Sequence, residues 1–450
     1  MLFEHIDILD ENLDWQRDCF VGVKGKTISY VGHEPPENAQ SYAQRYDGRG
    51  KLLTSAFFNT HAHTSMTLLR GYAEDQPLQD WLQKTVWPFE GKMDVDRKHH
   101  YWGTVLAQAE MIRYGVVGYT DMYNATIDRC EATLAAGMKA NHCDGGTMCF
   151  VEKDYDSLPV AKTNAELFER YQGAGDGRVQ IEMCIHGEYT TPEGMVRRVA
   201  AEAQEHGCGV HLHLSETKSE HEECKERHGG MTPAAWFEHC GVFDNRTTAA
   251  HCVWAEDSDI ELLARRGVHV SLNPASNMKL ASGFAPVQKM IDAGVPLSLG
   301  TDGMASNNTH NILQSAYLLA CSQKGNALDP TVVPAKEVLR MLTAGGAAAQ
   351  GREDCGMLKE GMCADLVVFD VDTPWMKPVY DMAVNLVYSA NGADIVMTMC
   401  DGQVLYENGE FKTIDVERAA AECERSVDEI LEALAAEPAD GADDASADGE

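Results

Sequence analysis

His61 and His63 close the apolar stretch Phe57 to His63, FFNTHAH. Residues two apart share one face of a strand, so both imidazoles would leave the end of a buried strand side by side. Neighbouring imidazoles are a natural start for a divalent-metal site, which needs three or four N and O donors and one position kept for water. His213, in HLHLSET, and Asp302, in LGTDGMASNN, supply the remaining donors, and each follows an apolar run. Binuclear hydrolases bridge their two metals with a modified lysine, and the comparable stretch here, VQIEMCIHG, has none. One ion is therefore expected.

Glu216 lies three residues beyond His213. A carboxylate there can take a proton from the attacking water and hand it to the substrate, work worth about a hundred- to ten-thousand-fold in rate. The same carboxylate beside Ser215 would also favour a helix start. His251, in AAHCVW, and Asp302 can polarise or orient the water from the other side, and a bound metal would bring the water's pKa to roughly 7. His211, inside the strand that carries His213, reads as structural.

Other histidines invite the same chemistry and lack its context. His221-Glu222 has no second histidine at metalloprotease spacing and reads as a solvated face, while His99-His100 and His228 lie in polar helical stretches and read as surface. GAGDG, Gly173 to Gly177, does not open a helix after a strand and reads as a loop, not a dinucleotide cradle.

The elements that must position these residues follow from the rhythm of the chain. From Ala56 onward, eight short β-rich runs alternate with helical stretches: Ala56 to His61, Val116 to Asp121, Gly137 to Cys143, Val179 to His186, Gly209 to Leu214, Thr247 to Cys252, Val268 to Leu272 and Pro296 to Gly300. The third reads equally as strand or helix. Eight such units predict an α/β fold, a (β/α)8 TIM-like barrel over 54–350, and a barrel gathers its strand-end side chains on one rim. His61, His63, His186, His213, Glu216, His251 and Asp302 would all meet there. The flanks, 1–53 and 351–412, carry short apolar runs and the hairpin signals Asp401-Gly402 and Asn408-Gly409, and predict a small β-sandwich made by the two ends together. Val333 to Gln350 reads as a helix, 413–436 as an acidic amphipathic helix, and 437–450, EPADGADDASADGE, as a disordered acidic tail.

Composition limits the partners. The chain has 450 residues, 44% hydrophobic and 24% charged, with a formal net charge of −33. That charge excludes a phosphate backbone as partner and favours a small neutral or cationic substrate. The acidic start and the lack of any run of about 18 apolar residues predict a cytoplasmic protein without a membrane span. The 14 cysteines include no Cys-X-X-Cys pair, so reduced, buried thiols are expected and a cysteine-built zinc site is not.

The motifs NTHAHTSMTLLRG, HLHLSET, AHCVW, SLNPASNMKL, LGTDGMASNN and ADLVVFD resemble, in that order along nearly the whole chain, the amidohydrolase superfamily and within it the cytosolic aminohydrolases. The resemblance implies one zinc per chain, with Fe2+ or Mn2+ as alternatives, on His61, His63, His213 and Asp302. It implies proton handling by Glu216, His251 and Asp302 during hydrolytic removal of the 6-amino group of an adenosine-type nucleoside. Glu90, in DWLQKTVWPFEGKMD, resembles the carboxylate that accepts hydrogen bonds from the ribose, and His186, in CIHGEYTT, the histidine that contacts the nucleoside. A homo-oligomer is also implied. Relatives that accept S-adenosylhomocysteine hold its carboxylate with arginines near the third strand. Here Asp144 stands at the aligned position and no arginine lies between Arg129 and Arg170. A carboxylate facing a carboxylate predicts a preference for methylthioadenosine, 5′-deoxyadenosine or adenosine, unless Lys153 or Lys162 folds over the site. Another N-heterocycle (aminofutalosine, a free base, a pterin or a triazine) is the alternative substrate, and an inactive scaffold the alternative class.

Overall fold

A computed structural model describes residues 1–72, 74–76 and 80–436. The two ends of the chain meet in one nine-stranded sheet. Its N-terminal part holds Leu2–Leu9, Trp15–Lys24, Thr27–Gly32, Arg45–Asp47 and Lys51–Ser55; its C-terminal part holds Leu366–Asp370, Ile395–Cys400, Gln403–Glu407 and Glu410–Phe411. The join is the antiparallel pairing of Leu366–Asp370 with Lys51–Ser55. Phe3, Ile6, Val21, Leu53, Val368 and Met399 share one apolar cluster drawn from both parts. Both hairpin signals are turns whose two central residues have positive φ, Asp401 and Gly402 at 48° and 74°, Asn408 and Gly409 at 48° and 93°, the geometry that selects Asp-Gly and Asn-Gly. Not all pairs are antiparallel: Leu2–Leu9 runs parallel to Arg45–Asp47 and to Lys51–Ser55. The segment between Gly32 and Arg45 returns the chain to the same end of the sheet, which is what a parallel pair requires.

Between the two parts, parallel pairings build two five-stranded sheets. Phe57–His63 pairs with Val116–Tyr123, that strand with Lys139–Asp144, and that with Val179–Ile181. After Glu182 the same strand resumes as Met183–Ile185 and pairs with Val210–Leu214, followed by Thr247–His251, His269–Leu272 and Leu297–Leu299. Asp302–Gly303 then returns to Phe57–His63. The third run, ambiguous in sequence, is a strand. Helices separate the strands, so the chain is of mixed α/β class. Every residue from Phe57 to His63 is buried, as a strand covered on both faces must be.

The predicted Val333 to Gln350 helix is two, Ala335–Leu342 and Ala344–Ala349, broken at Thr343 (φ −107°, ψ −100°). A side chain at Gly346 would put a Cβ 2.7 Å from that of Phe58, so the glycine lets the second helix lie against the first strand. Gly173 to Gly177 is a left-handed turn, with Gly175 at φ 64° and Asp176 at φ 62°. Val416–Ala435 is helical and packs on Lys98–Arg113, where Cys423 Sγ donates to the Trp102 carbonyl at 3.3 Å. The expected acidic tail, 437–450, lies outside the described residues. Among the described residues no helix is long and apolar enough to cross a membrane, and all 14 thiols are free.

Candidate metal centre and active site

The parallel strands end on one rim, and four of the predicted donors come together there. His63 Nε2 lies 3.1 Å and His61 Nε2 3.4 Å from Asp302 Oδ1, and His213 Nε2 lies 3.4 Å from His63 Nε2. The other ring nitrogen of each histidine is engaged. His63 Nδ1 donates to the Met122 carbonyl and His213 Nδ1 to the His186 carbonyl, both at 2.6 Å. His61 Nδ1 lies 2.8 Å from His211 Nε2, with one ring donating to the other. Donation through Nδ1 fixes the tautomer and leaves an Nε2 lone pair on His63 and on His213. Two lone pairs aimed at each other repel unless a cation lies between them, and His61 Nε2, fully buried, has no hydrogen-bond partner at all. The donor set therefore fits a divalent ion. His211 supports His61 from behind, as a structural residue would.

Asp302 is held from three sides: Ser276 Oγ donates to Oδ2 at 2.6 Å, Ser306 Oγ to Oδ2 at 3.1 Å, and the Gly303 amide to Oδ1 at 2.8 Å. His251 Nδ1 donates to Asn277 Oδ1 at 2.8 Å, and its Nε2 faces Glu216 Oε2 at 3.9 Å. Burial pushes the Glu216 carboxyl above the usual carboxylate range, which suits a group that must carry a proton at neutral pH. Ser215, His251 and Asp302 have φ of 48°, 76° and 64°, a left-handed backbone costing such residues on the order of 1–3 kcal/mol each. Non-glycine residues collected in that region mark a site, here at the ends of the paired strands Val210–Leu214 and Thr247–His251 and at Asp302.

Above this floor opens a cavity with an apolar lining and a few convergent polar groups, the composition of a small-molecule site. Trp81, Leu82, Val86, Trp87, Met148 and Leu280 form its apolar lining; Glu90, His186, Glu216, His251 and Asp302 are its polar groups. Tyr123 donates to Glu90 Oε1 at 2.5 Å, and burial raises the Glu90 carboxyl to about 7 in spite of that bond. Burial among histidines lowers His186 to about 4, so its ring is neutral at pH 7. Among the described residues, no lysine or arginine lines the cavity.

The profile of the amidohydrolase family matches residues 52–405, most of the chain. The chain belongs to that family. It is 39% identical over 385 residues to a 5-methylthioadenosine/S-adenosylhomocysteine deaminase of Dictyoglomus thermophilum, covering 86% of this chain and 89% of that one. It is 38% identical over 411 residues to a 5′-deoxyadenosine deaminase of Methanosarcina barkeri, covering 91% and 93%. The crystal structure of an adenosine deaminase from Xanthomonas campestris with bound zinc superposes with a TM-score of 0.89 at 29% identity, covering 96% of this chain and 98% of that one.

Several sequence readings of this amidohydrolase need correction. Asp144 does not face the cavity: on its strand it shares a face with His142, and both side chains meet the helix Thr126–Ala136, where Thr126 Oγ1 donates to Asp144 and Thr133 Oγ1 meets His142. Neither Lys153 nor Lys162 lines the cavity. His221 is not on a solvated face; its ring is buried between Ser215 Oγ at 3.1 Å and Glu256 at 3.2 Å. His99 and His100 are buried as well, His100 with Nε2 2.9 Å from Asp94 Oδ1. His228 is only part exposed, bonded to Glu188 at 2.6 Å. Sequence reasoning assigned no part to Ser276, Asn277, Ser306 or Tyr123, although the first two lie in the motif SLNPASNMKL directly after a strand end.

Proposed function

We propose that this amidohydrolase is a hydrolytic deaminase of adenosine-type nucleosides, working with one divalent ion, zinc, on His61, His63, His213 and Asp302. The observation that carries the reading is the convergence of the His61, His63 and His213 ring nitrogens, that of His61 without a hydrogen-bond partner, and of Asp302 beside Glu216, at the floor of a cavity that also holds Glu90. Residues 54–350 constitute a (β/α)8 barrel and 1–53 with 351–412 a β-sandwich against it.

When bound, the ion supplies a Lewis acid and lowers the pKa of water to about 7. Everything else falls to side chains. Glu90 accepts hydrogen bonds from the ribose hydroxyls, and His186 contacts the nucleoside. The apolar wall formed by Trp81, Leu82, Trp87 and Met148 excludes water from the base and its 5′ group. His251 and Asp302 orient the attacking water as its oxygen bonds to C6 of adenine, and Glu216 takes its proton. Glu216 passes that proton to N1, then carries the proton of the new C6 hydroxyl to the 6-amino group, which leaves as ammonia as the C6 carbonyl forms. Water and an adenosine analogue enter; the inosine analogue and ammonia leave.

With no lysine or arginine on the cavity wall among the described residues, an uncharged 5′ group is preferred: methylthioadenosine, 5′-deoxyadenosine and adenosine ahead of S-adenosylhomocysteine. Glu90 separates this reading from a free-base or triazine hydrolase, which has no ribose to hold. The test is to incubate metal-analysed protein with the four nucleosides and follow ammonia and the ultraviolet change from adenine to hypoxanthine. Turnover of the first three with weak turnover of the last is expected; no turnover of any by metal-loaded protein would overturn the assignment.

A further inference from the structure

The segment that crosses from the parallel strands to the terminal sheet folds back on itself between Asp354 and Cys363. The Cys363 amide donates to the Asp354 carbonyl at 2.8 Å, and this closure brings two thiols onto one carboxylate. Cys355 Sγ donates to Asp354 Oδ1 at 3.4 Å and Cys363 Sγ to Asp354 Oδ2 at 3.3 Å. The three donor atoms lie within 4.8 Å of one another. A tetrahedral ion with bonds of about 2.3 Å to sulfur and 2.0–2.2 Å to oxygen has an S-to-O edge of roughly 3.5 Å, and each thiol already lies at about that distance from one oxygen of the carboxylate. Cys355 is buried, Cys363 is partly exposed and Asp354 is exposed. The site thus has a buried back and an open front from which an ion and a water can enter.

We propose that Asp354, Cys355 and Cys363 form a second metal site, which takes a thiophilic divalent cation of the zinc class with water as fourth ligand. Binding releases the two thiol protons, because the thiolate is the ligand. The resulting centre, two thiolates and one carboxylate on a dication, carries one net negative charge. Lys139 and Arg352, whose charges both interact with Cys355, lie close enough to offset it. The site is remote from the catalytic rim. Asp365, two residues beyond Cys363, bonds Lys139, the first residue of its parallel strand, so the dithiol sits at the opposite end of the strands from His63 and Asp302. Its effect is to pin the crossing segment, not to act on substrate. The spacing, Cys-X7-Cys with the carboxylate directly before the first cysteine, is not one by which sequence announces a zinc site.

Co2+ is the probe, because the catalytic donors include no sulfur and any thiolate-to-cobalt charge-transfer band must come from cysteine. Reduced full-length holoprotein, exchanged into metal-free buffer, is titrated with Co2+ while absorbance and proton release are followed. One further equivalent is expected, with a near-ultraviolet charge-transfer band and a rise in thermal midpoint. Cys363→Ser should abolish the band, Asp354→Asn should weaken binding at least tenfold, and Cys321→Ser, at an unrelated part-exposed thiol, should change neither. Asp354 is exposed, so its variant tests the site without disturbing the core, and nucleoside turnover should be unaltered in both site variants. No band in the wild type, a band that survives Cys363→Ser, or a Cys355–Cys363 disulfide forming in preference to the metal complex would overturn the proposal.

Discussion

The Asp144 carboxylate accepts a hydrogen bond from the Thr126 hydroxyl at 2.6 Å, on the helix side of its strand. The Gly146 amide donates to the same carboxylate at 3.0 Å. The proposed discrimination against a charged 5′ group therefore rests not on repulsion by Asp144 but on a cavity wall that, among the described residues, offers a carboxylate no lysine or arginine. Asp144→Ala should lower stability by about 1–3 kcal/mol, the cost of stranding the buried Thr126 hydroxyl, and leave the kcat/KM ratio of methylthioadenosine to S-adenosylhomocysteine unchanged. Met148→Arg should shift that ratio toward S-adenosylhomocysteine by about tenfold or more, the worth of one charge-assisted hydrogen bond. Steady-state kinetics with both nucleosides checks both; a ratio that moves with Asp144→Ala alone would return the role to Asp144.

Glu216 is not one of the four proposed metal donors, yet it faces His251 across 3.9 Å. Glu216→Gln keeps the size of the side chain and removes the transferable proton. It should lower kcat by about a hundred- to ten-thousand-fold with metal content unchanged by elemental analysis. His213→Ala should lose both together. Activity and metal falling in parallel in Glu216→Gln would make Glu216 a ligand instead.

The residues legible in sequence are those whose place is set by local pattern. His61, His63, His213 and Asp302 each follow an apolar run, and period-two alternation with the rim rule for parallel strands is enough to bring them together. The same alternation, applied to Lys139 to Asp144, puts Asp144 on the face of His142 and away from the face of Asn141, so its orientation was readable too; alignment position alone hid it. The buried histidines were not legible. His99 packs near Glu429 of the C-terminal helix, and His221 is covered by Glu256 of a distant helix. A polar helix conceals a buried face when the partner that covers it is hundreds or even dozens of residues away. Asn277 and Ser276 were hidden for a related reason: a side chain that orients another leaves no spacing signature of its own.

Asn277 accepts from His251 Nδ1 at 2.8 Å and so decides which nitrogen of that ring points at Glu216 and the reacting atoms. Asn277→Ala should cost about ten- to a hundred-fold in kcat, the usual penalty for removing such an orienting partner. Metal content and nucleoside KM should change far less, because neither the donors nor the ribose contact is touched. Equal losses in KM and kcat would point to collapse of the cavity wall instead.

Lys139 ties the parallel strands to the terminal sheet through Asp365 and Asp401, each at 2.6 Å, and Arg178 adds a second cation to Asp401 at 3.0 Å. Burial works against the Asp401 charge, but the Lys139 and Arg178 contacts outweigh it and hold the carboxyl below its ordinary value. The sign follows from linkage: a depressed carboxyl contributes stability in full above its unfolded pKa, near 3.8, and loses it as pH falls through the lower folded value. Asp401→Asn isolates the charge, since Asn-Gly forms the same positive-φ turn that Asp401-Gly402 now makes. It should destabilise by about 1–3 kcal/mol at pH 7, less than the roughly 3–5 kcal/mol of a fully broken buried pair because Lys139 keeps Asp365. Urea midpoints of the two proteins should differ by a constant amount from about pH 5 to 8, and the gap should shrink as pH falls below 3.8 and close only once pH has passed the depressed folded value, where Asp401 is protonated in both folded and unfolded chains. A gap that widens on acidification would mean that the Asp401 side chain stabilises the join through its hydrogen bonds as an acid, and not as the charge partner of Lys139.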